Sequence, residues 1–187
     1  MKVEEFKIKG MICSRCVKVL TIELRNTGAE ILEIQLGRIV IKYDSKLISR
    51  TKIIDSICEN DFEIIKDPRL ILSEQIKKWV IYYVWNTFHE EKLSNYLERK
   101  LNKSYNLISK NFHESVGMSI DRYQVILKIE RTKELLEEGQ LSFSEIAYSV
   151  GYQSLSALSK QFKKETEMTL KEYKNLEVGT RVPLDKI

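Results

Sequence analysis

Hydrophobic and polar positions in residues 1–67 switch between a period of two, which predicts strands, and a period near 3.6, which predicts helices. The strand pattern covers residues 3–9, 30–36, 39–43 and 62–65. Helical spacing of Val17, Leu20 and Leu24 predicts a helix at 14–26. A second helix is predicted at 47–59, with an apolar face made of Leu47, Ile54, Ile57 and Cys58. The resulting order, β-α-β-β-α-β, is that of a ferredoxin-like sandwich.

The strand pattern nearly disappears after Asp67-Pro68, where a turn signal marks a predicted domain boundary. Ser73 is the predicted N-cap of a helix that ends near Phe88. Its aromatic residues are predicted to pack, some of them against the first domain or a second subunit. These residues are Trp79, Tyr82, Tyr83 and Trp85. We therefore expect an α+β chain with a sandwich at 1–67, an all-helical domain at 68–176 and a frayed tail at 177–187.

The helical half contains an internal repeat with an offset of fifty positions. Residues 104–123 align with residues 154–173, so that identical or similar side chains recur at matching places. The identical residues of the first copy are Ser104, Ser109, Lys110, Phe112, Met118 and Tyr123. Two copies are too few for a solenoid, so the pattern indicates one small helical unit that is used twice.

Each copy has the parts of a helix-turn-helix. A short helix is predicted at 93–102 and again at 143–152, the latter capped by Ser144 or alternatively Ser142. Asn102 and Gly151 suit the tight turns that follow. Residues 119–139 form the predicted connecting helix, which Ser119 caps and Gly139 ends. About twenty helical residues span about 30 Å, close to the ~34 Å between successive major grooves on one face of DNA.

The second helix of each copy is predicted to be a recognition helix. Apolar residues mark the predicted buried side of each recognition helix: Ile108 and Phe112 in the first copy, and Leu158 and Phe162 in the second. The opposite faces carry Lys103, Asn106, Lys110 and His113 in the first copy and Gln153, Ser156, Lys160, Lys163 and Lys164 in the second. Lysines and small polar groups suit phosphates and base edges. A solvated helix face is the alternative, and the repetition of the pattern favours DNA binding.

Residues 73–176, and above all 141–174, resemble the DNA-binding domain of the AraC/XylS family of transcription regulators. The resemblance rests on the IA-x-x-VGY turn, the S-x-x-LSKQFKKE helix and the T-x-x-EYK end. It implies two helix-turn-helix units in adjacent major grooves of double-stranded DNA. The base contacts that it implies are Asn106, Ser109, Lys110, Leu155, Ser156, Ala157 and Lys160; Lys163 is added from the predicted exposed face. Leu155 and Ala157 depart from the polar residues often found there, and Glu167 replaces the usual turn glycine.

Cys13 and Cys16 form a C-x-x-C motif in the predicted loop before the first helix. Two thiolates can bind one soft ion, and the helix N-terminus should favour their ionised form. Residues 2–66 resemble heavy-metal-associated domains through the GM-x-C-x-x-C motif and the element order. The resemblance implies that Cys13 and Cys16 bind a soft metal ion, with Cu(I) expected first and Zn(II) as an alternative. It also implies that Met11 packs beneath the loop and that Phe62 lies beside it.

Other readings of the polar and sulfur-containing residues remain open. The two cysteines could instead be a redox pair or simply buried thiols. Cys58 is expected to be a small core residue. His89 is expected to be exposed near a helix end, and His113 to meet phosphate or solvent. No set of residues predicts a catalytic site, so we expect no enzymatic activity.

Composition and charge add little to this picture. The 31 basic and 27 acidic residues give a formal net charge of +4, which permits contact with nucleic acid without requiring it. No apolar run is long enough for a membrane helix, and the N-terminus lacks the pattern of a signal peptide. We therefore expect a cytoplasmic protein that does not contact a membrane. An odd count of three cysteines does not suggest a disulfide framework.

The sequence thus predicts a two-domain transcription regulator that binds DNA and responds to a soft metal ion. One alternative is a regulator whose sandwich domain serves only to form a homodimer. Another is a metal carrier that uses its helical half as a docking module.

Overall fold

The computed structural model describes residues 1–86, 91–176, 180–184 and 187. It divides into two compact units, Met1–Lys78 and Trp79–Ile187. The division falls within a helix and not at Asp67-Pro68, so the domain limits drawn from the sequence stay predictions. Among the described residues, no helix is long and apolar enough to cross a membrane.

The first unit is built on a four-stranded antiparallel sheet with the strand order β2-β3-β1-β4. Its elements follow the predicted order. They are β1 (Lys2–Lys9), α1 (Ser14–Asn26), β2 (Glu30–Gln35), β3 (Arg38–Tyr43), α2 (Arg50–Cys58) and β4 (Glu63–Ile65). One face of the sheet packs on both helices because every second strand residue is apolar. Phe6 and Ile8 of β1 meet Leu20 and Leu24 of α1 in this core.

A bulge in β2 corrects the predicted alternation of that strand. The pairing with β3 shifts between Ile31 and Glu33, which leaves Leu32 49% exposed. Ile31 and Ile34 consequently both pack against the core. An extra residue in one strand changes which side chains face inward, and a simple period of two cannot show this.

Two residues of the predicted second helix were placed wrongly. Helix α2 begins at Arg50, after Ser49, whose hydroxyl accepts a hydrogen bond from the Lys52 amide. Leu47 therefore lies before the helix and is 83% exposed. Ile53 and Ile57, one turn apart, fill the core, whereas Cys58 lies about 100° further round the helix and is exposed. The prediction that Cys58 is a core residue is wrong.

Helix α3 runs from Pro68 to Trp85. Asp67 caps it, because its side chain accepts a hydrogen bond from the Arg69 amide at 2.9 Å, and Pro68 suits the first helical position. Ser73, the predicted cap, is instead buried within the helix. The predicted helix end near Phe88 and the predicted exposure of His89 lie outside the described residues.

The second unit continues with six helices among its described residues. These are α4 (Leu93–Leu101), α5 (Tyr105–Val116), α6 (Ile120–Glu138), α7 (Phe143–Ser149), α8 (Leu155–Thr166) and α9 (Leu170–Lys174). Ser119 caps α6 and Gly139 ends it, as predicted. Ser142 caps α7 in a capping box with Glu145, so Ser144 is not the cap.

The tail is not frayed along all of its described length. Thr180, Arg181 and Val182 hydrogen-bond to side chains of α6 and α9. Residues 177–179 and 185–186 lie outside the described residues. The prediction of a frayed tail is therefore wrong for Thr180–Val182, because distant polar partners hold that segment.

Candidate nucleic-acid interface and thiol loop

The two sequence repeats fold into the same local structure. Phe112 of α5 and Phe162 of α8 are each 0% exposed. Each ring packs on a tyrosine in the first turn of the next helix, with centroid distances of 5.3 Å to Tyr123 and 5.6 Å to Tyr173. The small cores are therefore equivalent, and each holds its second helix with the opposite face toward solvent.

The turns of the two helix-turn-helix copies also correspond. Asn102 after α4 and Gly151 after α7 both adopt positive φ, 50° and 76°, as their residue types predicted. Gly117 after α5 and Glu167 after α8 repeat this geometry, at 79° and 63°. Glycine adopts positive φ without steric cost, whereas the Cβ of Glu167 makes the same conformation unfavourable.

The predicted recognition faces are exposed on both helices. Asn106 and Lys110 of α5 are exposed, and Ser109 is half-buried. The exposed residues of the second copy are Ser156, Ala157, Lys160, Lys163 and Lys164. Leu155 is half-buried and packs against the core of its own unit, which leaves less of it for a base edge. His113 is exposed on α5, as predicted.

The two exposed faces differ in charge. Lys110 lies 3.9 Å from Glu114 on the same helix. At the offset of fifty, His113 and Glu114 correspond to Lys163 and Lys164 in α8. The second face is therefore the more basic one, a difference that emerges only when the repeats are compared position by position.

The connecting helix α6 contacts the end of the recognition helix, and the turn before it, in the second helix-turn-helix. Its 19 residues give a length of about 28 Å. Near its start, the Arg122 guanidinium pairs with Glu165 of α8 at 2.5 Å. Further along, the Lys128 ammonium donates to the Gly151 carbonyl at 3.3 Å and lies 5.1 Å from the Tyr152 ring centroid. These contacts hold the turn and the recognition helix on one rigid element.

The aromatic residues of α3 pack within the helical unit. Trp79 and Tyr83 contact the Tyr96 ring of α4, with centroid distances of 6.2 and 5.3 Å. The Trp85 indole N–H donates to Glu134 of α6 at 2.9 Å. Tyr82 is 51% exposed. The assignment of this stripe to packing is thus confirmed for the other three residues.

Cys13 and Cys16 lie at the start of α1, in the loop that follows β1. Their Sγ atoms are 3.1 Å apart, longer than a disulfide bond. Both thiols are half-buried. Met11 lies in the core beneath them, and Phe62 packs against the same core. The predicted pair is therefore brought together by the N-terminal turn of the helix.

Two thiols from one chain are a donor set that a soft metal ion could use. Structural zinc usually takes four ligands, and the described residues hold no group of three or more His, Cys, Asp or Glu side chains that could bind a metal ion. Cys13 and Cys16 would be the residues that hold such an ion.

The expected ease of ionisation does not extend to Cys16. Burial, together with the hydrogen bond to the neighbouring Cys13 thiol, raises the pKa of the Cys16 thiol. The helix N-terminus and the basic residues nearby do not outweigh that loss of hydration.

A residue outside the motif holds the thiol loop. Glu74 of α3 accepts a hydrogen bond from the Gly10 amide at 3.0 Å, and the Cys16 thiol lies 3.7 Å from the Gly10 carbonyl. Gly10 has φ of +81°, which suits glycine. Sequence reasoning missed Glu74, because 64 positions separate it from Gly10 and no local pattern marks it.

Comparison with known proteins agrees with the geometry of the helical half. Residues 97–175 match the sequence model of a helix-turn-helix domain family. The C-terminal domain of AraT, a response regulator from Geobacillus stearothermophilus, aligns with a TM-score of 0.50 and 19% identity over 60% of this chain and 91% of that domain. Residues 97–175 therefore match a helix-turn-helix domain family, and the chain shares its fold with the AraT domain.

Two further relatives are similar to part of the chain. The Msm operon regulatory protein of Streptococcus mutans is 39% identical over 69 residues, which make up 37% of this chain and 25% of that protein. The chain thus spans about a quarter of the length of this curated relative. The C-terminal domain of the response regulator yesN from Fusobacterium nucleatum aligns with a TM-score of 0.48 and 26% identity, over 55% of this chain and 98% of that domain.

Proposed function

We propose that this protein is a transcription regulator of the AraC type that binds double-stranded DNA through both helix-turn-helix units. The observation that carries the proposal is the repetition of one buried core behind two exposed, polar recognition faces. The similarity to a curated operon regulatory protein supports it. The helix α6, of about 28 Å, is long enough to bring the two faces to successive major grooves.

Under this proposal, the exposed side chains divide into two groups. Asn106 and Lys110 of α5, with Ser156 and Lys160 of α8, face base edges, where amides and lysines can discriminate between bases. Lys163 and neighbouring lysines contact phosphates and fix the register. Ser109, Leu155 and Ala157 remain candidate contacts that are smaller or less exposed.

A footprint on the operator tests the two-groove arrangement. The expected footprint covers two major-groove segments about one helical turn apart. Lys160→Ala should weaken binding by about 1–3 kcal/mol and relax preference at one base pair if Lys160 reads a guanine. Protection confined to a single groove would show that α5 does not insert.

We further propose that the first unit is a ferredoxin-like, heavy-metal-associated domain that binds a soft metal ion, with Cu(I) preferred over Zn(II). The supporting observation is the pair of thiols of Cys13 and Cys16, whose Sγ atoms lie 3.1 Å apart. When bound, the ion would be held by Cys13 and Cys16 and would supply a positive charge at the start of α1. Met11 is buried in the core against which Cys16 packs.

Copper titration distinguishes this proposal from its alternatives. Cys13→Ser should reduce Cu(I) affinity strongly because a hydroxyl is a poor ligand for a soft ion, whereas Cys58→Ser should not. Equal Cu(I) affinity in wild type and in a Cys13→Ser/Cys16→Ser variant would refute metal binding and leave a domain that serves only for dimerisation. Tight copper binding without any specific DNA binding would favour a carrier.

A further inference from the structure

Helix α6 carries a row of charged residues that faces the described part of the tail. Lys133, Glu134 and Glu137 lie three, four and seven positions after Glu130, which places all four on one side of the helix. The side chains of Lys133 and Glu130 are only 9% and 5% exposed, and their charged atoms are 2.6 Å apart. A buried ion pair is costly unless further hydrogen bonds satisfy it.

The tail supplies those hydrogen bonds through its main chain. The Val182 amide donates to Glu130 at 2.8 Å, and the Lys133 ammonium donates to the Thr180 carbonyl at 3.1 Å. The Thr180 amide donates to the Tyr173 hydroxyl at 3.1 Å. Three main-chain groups, two of Thr180 and one of Val182, are thus bound by side chains of α6 and α9.

The Arg181 side chain also contacts this row of charged residues. Its guanidinium lies 3.0 Å from a Glu134 oxygen and 3.7 Å from a Glu137 oxygen. The Tyr173 hydroxyl, which receives the tail, also donates to Glu137 at 2.9 Å. The tail, α9 and α6 therefore share one connected polar network.

We propose that Thr180–Val182 is a latch that binds the charged row of α6 and fixes α9, the last helix of the second helix-turn-helix unit, to the connecting helix. The main-chain contacts determine where the segment lies, and Arg181 fixes its register. Because α8 lies between α6 and α9 in the chain, the latch also limits the freedom of the second recognition helix. This last step rests on the proposed DNA-binding function; the docking of the tail does not.

Hydrogen exchange on the full-length wild-type chain tests the docking directly. The amides of Thr180 and Val182 should exchange at least about tenfold more slowly than in an unstructured peptide, because exchange requires the latch to open. Exchange of both amides at the unstructured rate would overturn the latch without reference to any variant.

Limited trypsin digestion tests the role of the charged row. Cleavage after Arg181 requires release of its side chain, so the rate follows the open population when opening is fast. Glu130→Gln should raise that rate about tenfold. Glu137→Gln, a change at a solvent-facing position where the fold should be kept, should raise it severalfold. Glu138→Gln is the matched control, since Glu138 lies near Arg131 and has no ion pair or hydrogen bond with the described residues of the tail. Equal cleavage rates in all four proteins would contradict the latch.

Operator binding by the same variants tests the consequence for DNA. Glu137→Gln should weaken specific binding about two- to fivefold relative to Glu138→Gln. If the tail is released and DNA affinity does not change, the latch does not position α8. If no variant and no wild-type protein binds specific DNA, the proposed function fails, while the exchange and digestion results still decide the docking.

Discussion

Glu167 occupies a backbone position that favours glycine. Its φ is 63°, the equivalent residue of the first unit is Gly117, and the Glu167 side chain is exposed. Left-handed backbone costs a residue with a Cβ roughly 1–2 kcal/mol. The strained backbone at Glu167 is therefore expected to lower the stability of the second helix-turn-helix.

Glu167→Gly should raise the free energy of unfolding by about 0.5–1 kcal/mol, the strain relief being partly offset by the greater freedom of glycine in the unfolded chain. Chemical denaturation measures the change. The reciprocal substitution Gly117→Glu is the control and should destabilise by a similar amount. No gain from the first and no loss from the second would mean that these turns do not carry the strain.

Glu4 is the strongest example of a charge stabilised by its neighbours in the sheet unit. Burial alone would raise its pKa, but hydrogen bonds from Arg50, Lys2 and Tyr43 lower the pKa of Glu4 to about 2. The carboxylate lies 2.6 Å from Arg50 and 2.9 Å from both Lys2 and the Tyr43 hydroxyl. A lowered pKa means that the folded state holds the charged form more tightly than the unfolded state does.

The stability that Glu4 contributes should be complete above its ordinary pKa, near 4.5, and should be lost as the pH falls toward about 2. At pH 7, Glu4→Gln should lower the free energy of unfolding by about 1–2 kcal/mol, allowing for partial exposure of the partners. Denaturation of the two proteins at pH 7 and pH 2.5 measures it, and the difference should shrink at the lower pH. Glu30→Gln removes an exposed ion pair with Lys42 and should cost less than about 1 kcal/mol.

At the scale of elements, most helices and strands could be predicted because their periods are local. The paired cysteines and the recognition faces were also found in this way, from spacings of three and four. Errors arose where tertiary structure overrides the pattern. The β2 bulge exposes Leu32, and Asp67 starts α3 six residues before Ser73. The contacts of Glu74 and of the tail join residues that are 64 and 52 positions apart, so no local pattern could reveal them.

The unequal charge of α5 and α8 predicts an unequal share of DNA affinity between the two units. Glu114 stands where the second unit has Lys164, and both are exposed. Each cation that meets a phosphate steepens the dependence of log affinity on log salt by about 0.9. Glu114→Lys should therefore tighten operator binding and steepen that slope by about one. The measurement is binding at several salt concentrations.

Lys164→Glu is the reverse substitution at the equivalent position. It should weaken binding and flatten the slope, and a chain with both changes should show which unit depends more on charge. Unchanged slopes in both single variants would place these two positions away from the DNA backbone.

At the scale of the whole molecule, helix α3 connects the thiol loop to the helical unit along one continuous element. Glu74 near its start accepts a hydrogen bond from Gly10 of the loop, and Trp85 at its end donates one to Glu134 of α6. If the chain is a metal-responsive regulator, α3 is the element through which the two ligands influence each other.

Copper should then change operator affinity by about 5- to 150-fold, and operator DNA should change copper affinity by the same factor, because coupling between two binding equilibria is reciprocal. Isothermal titration of Cu(I), with and without saturating operator, measures both.

Glu74→Gln should bring this coupling factor closer to one while each ligand still binds, since the neutral amide accepts the Gly10 hydrogen bond more weakly. Gln75→Ala, an exposed position next to it on α3, is the control. Identical copper curves in the presence and absence of operator would mean that the two units bind their ligands independently, and a factor unchanged by Glu74→Gln would place the coupling in another contact.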